Sequence, residues 1–210
     1  MKIYMIRHGQ TDWNLAGKIQ GKTDVPLNEE GRAQARFLAD AMKSRPAAKV
    51  FTSPLKRARE TAQAVAEALV APLLLVPEFE EVDFGLWEGL TWQQIGERYP
   101  KEYAGWRREP VEHPPVGGEG RESASLRAKR GLEILFEESG GEDAALVAHG
   151  AILAYIRDAL FENQEKPPEQ IVKNASITTV EYDRKTGEGR LLCLNDVSHL
   201  GKSCSDDGIK

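Results

Sequence analysis

Five side chains that suit phosphate chemistry follow short apolar stretches of this sequence. They are two arginines, two histidines and a glutamate: Arg7, His8, Arg57, Glu81 and His149. Arginine presents a planar fork of donors that matches phosphate or carboxylate oxygens. A neutral histidine can act as a nucleophile, and a carboxyl group can give or take a proton. These residue types together favour a site that binds an anionic group.

The apolar stretches predict the strands that must position these side chains. Strands are expected over 3–6, 49–52, 72–76 and 144–148. Arg7 and His8 directly follow the first stretch, and His149 directly follows the fourth. In an open α/β sheet, ligands bind at the carboxyl ends of the strands. The four strand exits are therefore expected to share one edge of a sheet.

Helical periodicity separates the predicted strands. Helices are expected from Asn28 to Pro46, after a Ser53 cap with Pro54 at the first helical position, over 126–136 and over 152–160. Strands that alternate with helices predict a mainly parallel sheet covered on both faces. A hairpin over 177–182 and 191–194 would add an antiparallel edge strand. The fold class is therefore α/β, with three layers (α/β/α) around a mainly parallel central sheet.

The middle of the chain lacks this regularity. Residues 84–122 predict a loop or lid excursion, in which Thr91 and Gln94 favour a capping box for a short helix ending near Pro100. Residues 101–120 are rich in proline and glycine and are expected to form a long loop. Residues 1–200 are interpreted as one domain, followed by a polar, frayed tail over 201–210.

Composition excludes several classes of partner. The 210 residues carry a formal net charge of −5, which argues against nucleic acid, so an anionic substrate needs a local positive pocket. No apolar stretch is long enough to cross a bilayer, and no signal-peptide pattern opens the sequence. Cys193 and Cys204 provide neither a disulfide framework nor metal-ligand spacing, and a cytoplasmic location is expected. The oligomeric state is left open, a homo-oligomer included.

Five ordered motifs resemble those of a known family. Arg7-His8-Gly9 followed by Thr11-x-Trp13-Asn14 resembles the signature of the histidine phosphatase superfamily, the phosphoglycerate-mutase-like proteins. The later motifs lie at 53–62, 81–89, 117–119 and 147–150, so the resemblance spans nearly the whole chain. Residues 120–123 depart from it, because many relatives have serine directly after Gly-Gly-Glu. Residues 10–14 and 20–27 look most like broad-specificity and α-ribazole-phosphate phosphatases.

The resemblance implies a role for each of the five side chains. His8 would be the nucleophile that forms a phosphohistidine, while Arg7, Arg57 and His149 would bind the phosphoryl oxygens. Glu81 would protonate the leaving alcohol and then activate water, and its distance from the 85–89 motif favours it over Glu80. The two arginines would keep His8 neutral, and a backbone carbonyl on the other ring nitrogen would fix its tautomer.

Four further residues are predicted to contact the substrate, namely Asn14, Gln20, Gly21 and Gly150. No metal and no cofactor are expected, because the cations of the site can stabilise the transferring phosphoryl group themselves. The expected partner is a small phosphomonoester, with no nucleic acid and no membrane. His113 and His199 receive no functional role.

Three functions remain open at this point. A hydrolase and a cofactor-dependent phosphoglycerate mutase would share every residue named above, and differ in whether the phosphohistidine meets water or a second hydroxyl group. The compact stretch from Glu81 to His149 favours the phosphatase, since a mutase needs longer covering insertions. A non-catalytic protein that binds a phosphorylated ligand is the third interpretation, although such a protein would be expected to lack His8 or Glu81.

Overall fold

The computed structural model describes residues 1–110, 112–168 and 170–203. Its centre is a six-stranded sheet in the order β3-β2-β4-β1-β5-β6. The strands are β1 (Lys2–Arg7), β2 (Lys49–Thr52), β3 (Leu73–Leu75), β4 (Ala144–Ala148), β5 (Ile177–Asp183) and β6 (Glu188–Asp196). The first four strands are parallel, and β5 pairs antiparallel with both β1 and β6. The terminal hairpin therefore forms the predicted antiparallel edge.

Helices cover both faces of this sheet. They are α1 (Asp12–Leu15), α2 (Glu29–Met42), α3 (Lys56–Leu69), α4 (Trp92–Arg98), α5 (Pro100–Arg108), α6 (Arg121–Ser139) and α7 (Gly150–Leu160). Alternate residues of a strand point to opposite faces. Ile3 and Met5 of β1 accordingly pack in one core with α6 and α7, whereas Tyr4 and Ile6 pack in another with α2 and α3. This arrangement confirms the predicted three-layer α/β/α fold.

Local capping rules hold at two of the predicted helix starts and fail at a third. The Asn28 side chain accepts a hydrogen bond from the Gly31 amide at the start of α2, and Thr91 with Gln94 forms the expected capping box of α4. The predicted Ser53 cap is wrong, because α3 begins at Lys56. The Ser53 hydroxyl instead lies 3.2 Å from the Leu55 amide and 2.8 Å from His149 Nε2.

The prediction of a long loop over 101–120 is wrong in its first half. Pro100 does not end the helical region there but occupies the first turn of α5, where its missing N–H costs nothing. Tyr103 and Trp106 of α5 stack on Trp92 and meet the fully buried Trp87 edge-on. The excursion therefore has an aromatic core of its own.

The end of the described chain is ordered around a short 3₁₀ segment over Ser198–Ser203 with a kink at Gly201. The predicted tail over 201–210 overlaps its last residues, and positions 204–210 lie outside the described residues. No helix in the described ranges combines the length and the apolar character needed to cross a membrane.

Candidate active site

His8 stands directly after β1 and is almost completely buried. Its Nδ1 lies 2.7 Å from the Gly9 carbonyl oxygen, so Nδ1 carries the proton and Nε2 keeps its lone pair. Burial first, and then the charges of Arg57 and Arg7, hold the pKa of His8 well below its usual value of about 6.5. The imidazole is therefore neutral at pH 7 and offers an unprotonated Nε2.

His149 lies beside His8, at the end of β4, with 5.1 Å between the two ring centroids. Arg57 Nε donates to His149 Nδ1 over 3.1 Å, which leaves the proton of this ring on Nε2, where it meets the Ser53 hydroxyl. Burial and then the neighbouring Arg57 hold the pKa of His149 well below its usual range. The two histidines are thus both neutral, but they carry their protons on different ring nitrogens.

Arg57 is fully buried in the first turn of α3. Its Nη1 donates to the Thr23 carbonyl over 2.8 Å, and its Nη2 donates to the Gly21 carbonyl over 2.7 Å. Burial lowers the pKa of Arg57 to about 10, with Glu81 as the strongest opposing charge. The side chain therefore stays protonated at pH 7 and is fixed by the loop over 21–23.

The Glu88 carboxylate in turn fixes the loop over 21–23. Its two carboxylate oxygens accept the amides of Lys22 and Thr23 over 2.8 and 2.9 Å. Gly21 has a positive φ of 51°, and a Cβ at this position would overlap the Glu88 carboxylate. The contact of Gly21 with the substrate stays a prediction; in the structure its carbonyl supports Arg57, and its lack of a side chain makes room for Glu88.

Arg7 is the last residue of β1, and its guanidinium donates to the Val172 carbonyl. Its Nε is buried and has no hydrogen-bond partner among the described residues. An unpaired buried donor costs free energy, so Nε is suited to meet an oxygen atom of a ligand. Gly150 adjoins this group, since a Cβ there would lie 3.7 Å from Arg7 Nε and 4.0 Å from Glu81 Oε2.

The Glu81 carboxylate caps helix α7. One oxygen accepts the amides of Val82 and Ile152 over 3.0 and 2.9 Å, and the other accepts the Ala151 amide over 3.1 Å. Helix N-termini leave such N–H groups without partners inside the helix. Glu80 instead points to Lys22, with 3.5 Å between its carboxylate and Nζ. Of the two adjacent glutamates, Glu81 is the one beside Gly150 and Arg7.

The two predicted polar contacts to the substrate support the loop after His8. Asn14 Oδ1 accepts the Thr11 amide, and Gln20, which is buried, lies 3.0 Å from the Thr11 hydroxyl. Sequence reasoning missed Asn174, whose Nδ2 donates to the His8 carbonyl over 3.0 Å and to Asn14 Oδ1 over 3.2 Å. Asn174 lies in irregular chain before β5 and belongs to no motif, so no sequence signal could have identified it.

One cluster of side chains that could ligate a metal ion was not identified from the sequence. Glu109, Glu112 and His113 bring potential ligand atoms within 4.8 Å of one another, on residues that are exposed or half-buried. None of these residues belongs to the site around His8. Exposed acidic groups of this kind are common without a bound ion.

Comparison with known proteins adds the family. The family model described as histidine phosphatase superfamily (branch 1) matches residues 3–197. The chain belongs to the histidine phosphatase superfamily. Its members among the similar proteins carry the names of phosphatases and mutases, so this protein is an enzyme of that family.

Three relatives within the histidine phosphatase superfamily illustrate this range. A metal-independent phosphoserine phosphatase from Arabidopsis thaliana is 33% identical over 95% of this chain and 83% of its own length. A 2,3-bisphosphoglycerate-dependent phosphoglycerate mutase 2 from Gloeobacter violaceus is 36% identical over 81% of this chain and 79% of its own. The structure of the α-ribazole phosphatase from Shigella flexneri, 26% identical, superposes with a TM-score of 0.82 and covers 93% of this chain and 96% of that one. The predicted family resemblance is confirmed.

Proposed function

We propose that this protein is a metal-independent phosphomonoester hydrolase that acts on a small phosphorylated metabolite through a phosphohistidine. The observation that carries the proposal is the state of His8, which is neutral, has its proton on Nδ1 and is under the influence of the positive charges of Arg57 and Arg7. The site of a nucleophile that attacks phosphorus needs these three features, because the attacking lone pair must be free and the phosphoryl charge must be neutralised.

In the first step, His8 Nε2 attacks phosphorus while the bond from phosphorus to the leaving oxygen breaks. The electron pair goes to that oxygen, which takes a proton from the Glu81 carboxyl group. Arg7 Nε and the Arg57 guanidinium stabilise the charge on the phosphoryl oxygens.

In the second step, Glu81 removes a proton from water as the water oxygen attacks the phosphohistidine. The bond from phosphorus to Nε2 breaks, its electron pair returns to the imidazole, and inorganic phosphate leaves. Glu81 is then protonated and ready for the next cycle.

His149 can bind a phosphoryl oxygen only after an exchange of partners, because both of its ring nitrogens are engaged without a ligand. If Arg57 Nε turns to the phosphoryl group, the ring proton of His149 can move from Nε2 to Nδ1. The Nδ1–H group can then donate a hydrogen bond to the same phosphoryl group. The Ser53 hydroxyl supports this exchange, because a hydroxyl group can either accept from Nε2 or donate to it.

The relatives give the order in which substrates are tested. Phosphoserine stands first, because the Arabidopsis phosphatase named for it is 33% identical and is described as metal-independent. α-Ribazole 5′-phosphate follows, as the substrate named for structural neighbours at 26% identity. The similarity to a mutase makes 3-phosphoglycerate with 2,3-bisphosphoglycerate the necessary counter-test.

The decisive experiment is an assay with chelator present, in which both phosphate release and isomerisation are followed on these substrates. Release without isomerisation is expected, together with an acid-labile phosphoenzyme in rapid-quench samples. His8→Ala should abolish both turnover and the phosphoenzyme. Isomerisation that outruns release would establish a mutase, and turnover that survives His8→Ala would refute the nucleophile.

A further inference from the structure

Arg127 and Glu119 form a largely buried ion pair that the proposed chemistry does not use. Arg127 lies on α6, and Glu119 ends the Gly-Gly-Glu turn before that helix. Arg127 Nε donates to one carboxylate oxygen over 3.0 Å and Nη2 donates to the other over 2.7 Å. Their side chains are only 12% and 11% exposed. Burial alone would raise the pKa of Glu119, but the hydrogen bonds and charge of Arg127 outweigh it and lower that pKa.

The other donors of Arg127 reach the backbone that carries Glu81. Nη1 donates to the carbonyls of Glu78 and Glu80 over 2.8 and 2.7 Å, and Nη2 lies 3.3 Å from the carbonyl of Glu81 itself. A guanidinium has five N–H groups. All five are therefore matched, two by the Glu119 carboxylate and three by backbone carbonyls of residues 78–81.

The Gly-Gly-Glu turn packs on the continuation of this loop, backbone against backbone. The Glu119 amide donates to the Asp83 carbonyl over 2.8 Å, and a Cβ at Gly118 would overlap that same carbonyl oxygen. A Cβ at Gly85 would likewise overlap the Val116 carbonyl. Glycine is needed at both positions because no side chain fits between the two segments.

We propose that Arg127, held in place by Glu119, is a positioning residue for the general acid Glu81. The proposal rests on the proposed function of Glu81. Arg127 fixes the backbone of Glu81, and the amides of Ala151 and Ile152 fix its carboxylate. Both anchors are required, because a reacting group displaced by about 1 Å can lose about a hundredfold in rate.

The kinetic test compares Arg127→Lys with Arg130→Lys, which changes an exposed arginine on the same helix. Lysine keeps the charge toward Glu119 but cannot reach three carbonyls at once. With Arg127→Lys, kcat/KM for phosphoserine should fall about 10- to 100-fold, while p-nitrophenyl phosphate, whose leaving group hardly needs a proton, should lose less than about threefold. In the double variant with Glu81→Gln, the two losses on phosphoserine should not add. Equal losses on both substrates, or fully additive losses, would overturn the positioning role.

A second measurement does not depend on activity. Amide hydrogen exchange at Ala151 and Ile152 reports whether the Glu81 carboxylate still caps α7, and neither amide touches Arg127. Exchange at both amides should accelerate in Arg127→Ala and in Glu81→Ala but not in Arg130→Ala. Unchanged exchange in a folded Arg127→Ala variant would refute the inference even if the enzyme is an active phosphatase.

If the wild type hydrolyses no phosphomonoester, the proposed function fails, while accelerated exchange would still establish that Arg127 positions Glu81. If Arg127→Ala does not fold, Glu119→Gln, which keeps the shape of the side chain, is measured in its place against the same two outcomes.

Discussion

Two neighbouring histidines of one site differ because each has a different polar neighbour. The Gly9 carbonyl draws the proton of His8 to Nδ1, whereas Arg57 Nε occupies Nδ1 of His149 and leaves its proton on Nε2. The Ser53 hydroxyl is the partner of that second proton. This partner is essential to the site, because a buried polar atom left without a hydrogen bond costs about 1–3 kcal/mol.

Ser53→Ala should therefore lower the free energy of unfolding by about 1–3 kcal/mol and also reduce turnover. Ser176→Ala is the matched control, since Ser176 is equally buried and its hydroxyl has no partner among the described residues. The control should be close to neutral in both respects. Urea denaturation and kcat/KM for phosphoserine measure the two effects, and equal stability losses in the two variants would contradict the role given to Ser53.

A second test at the scale of single residues, Glu81→Gln, removes only the proton that Glu81 is proposed to give to the leaving alcohol. Glutamine keeps an oxygen that can accept an amide of α7 but has no proton to give to a leaving alcohol. The loss in kcat/KM for alkyl phosphates should reach about 10²- to 10⁴-fold, the usual contribution of a general acid. Aryl phosphates should lose much less, and a series of leaving groups of rising basicity should show a steeper decline than in the wild type. Equal losses along the whole series would exclude Glu81 as the acid.

At the scale of elements, the position of Arg57 depends on the loop over 21–23, and the position of that loop depends on the segment that carries Glu88. Glu88 lies after the 3₁₀ turn over Gly85–Trp87 and accepts amides of Lys22 and Thr23, whose segment supplies the carbonyls that hold Arg57. One Glu88 oxygen also accepts the Phe84 amide over 3.2 Å, which joins the two loops. Glu88 thus acts from a distance on Arg57, the proposed phosphate-binding cation.

Glu88→Gln should weaken phosphate binding without removing any group that touches phosphate. One carboxylate oxygen becomes an NH₂ group, which cannot accept the amides now directed at it, so the loop over 21–23 must shift and Arg57 with it. We expect inorganic phosphate, measured as a competitive inhibitor, to bind about tenfold more weakly, the equivalent of one hydrogen bond to a charged group. Glu97→Gln on the exposed face of α4 is the control and should leave the inhibition constant unchanged.

Which parts of this architecture were predictable depends on the range of the interactions involved. The strand β4 and the capping box of Thr91 follow local rules, and His149 was placed because a parallel strand ends at a known edge. Helix α5 was missed because Pro100 was interpreted only as a stop, although proline also suits a first turn. Asn174 acts across 166 positions of sequence, and no local pattern encodes such a contact.

At the scale of the whole molecule, the burial of two neutral histidines makes the free energy of unfolding depend on pH. The unfolded chain has ordinary histidines that bind protons below pH about 6.5, whereas the pKa values of His8 and His149 in the folded protein are well below this. Below pH about 6.5 the unfolded state therefore binds more protons than the folded state. The contribution of these two histidines to the free energy of unfolding therefore falls as the pH falls, until the pH reaches their lowered pKa values in the folded protein.

Each such histidine contributes a slope approaching about 1.4 kcal/mol per pH unit in this window, so the pair contributes up to about 2.7 kcal/mol per pH unit. His8→Gln removes one of the two groups and should reduce the slope between pH 6.5 and 5 by up to about 1.4 kcal/mol per unit relative to the wild type. Carboxylates titrate in the same way in both proteins, so they cancel in this difference. Urea denaturation of both proteins at intervals of half a pH unit measures it. Parallel stability curves would mean that His8 gains its proton equally easily in the folded and unfolded chains, and its neutrality could then no longer support its proposed role as the nucleophile.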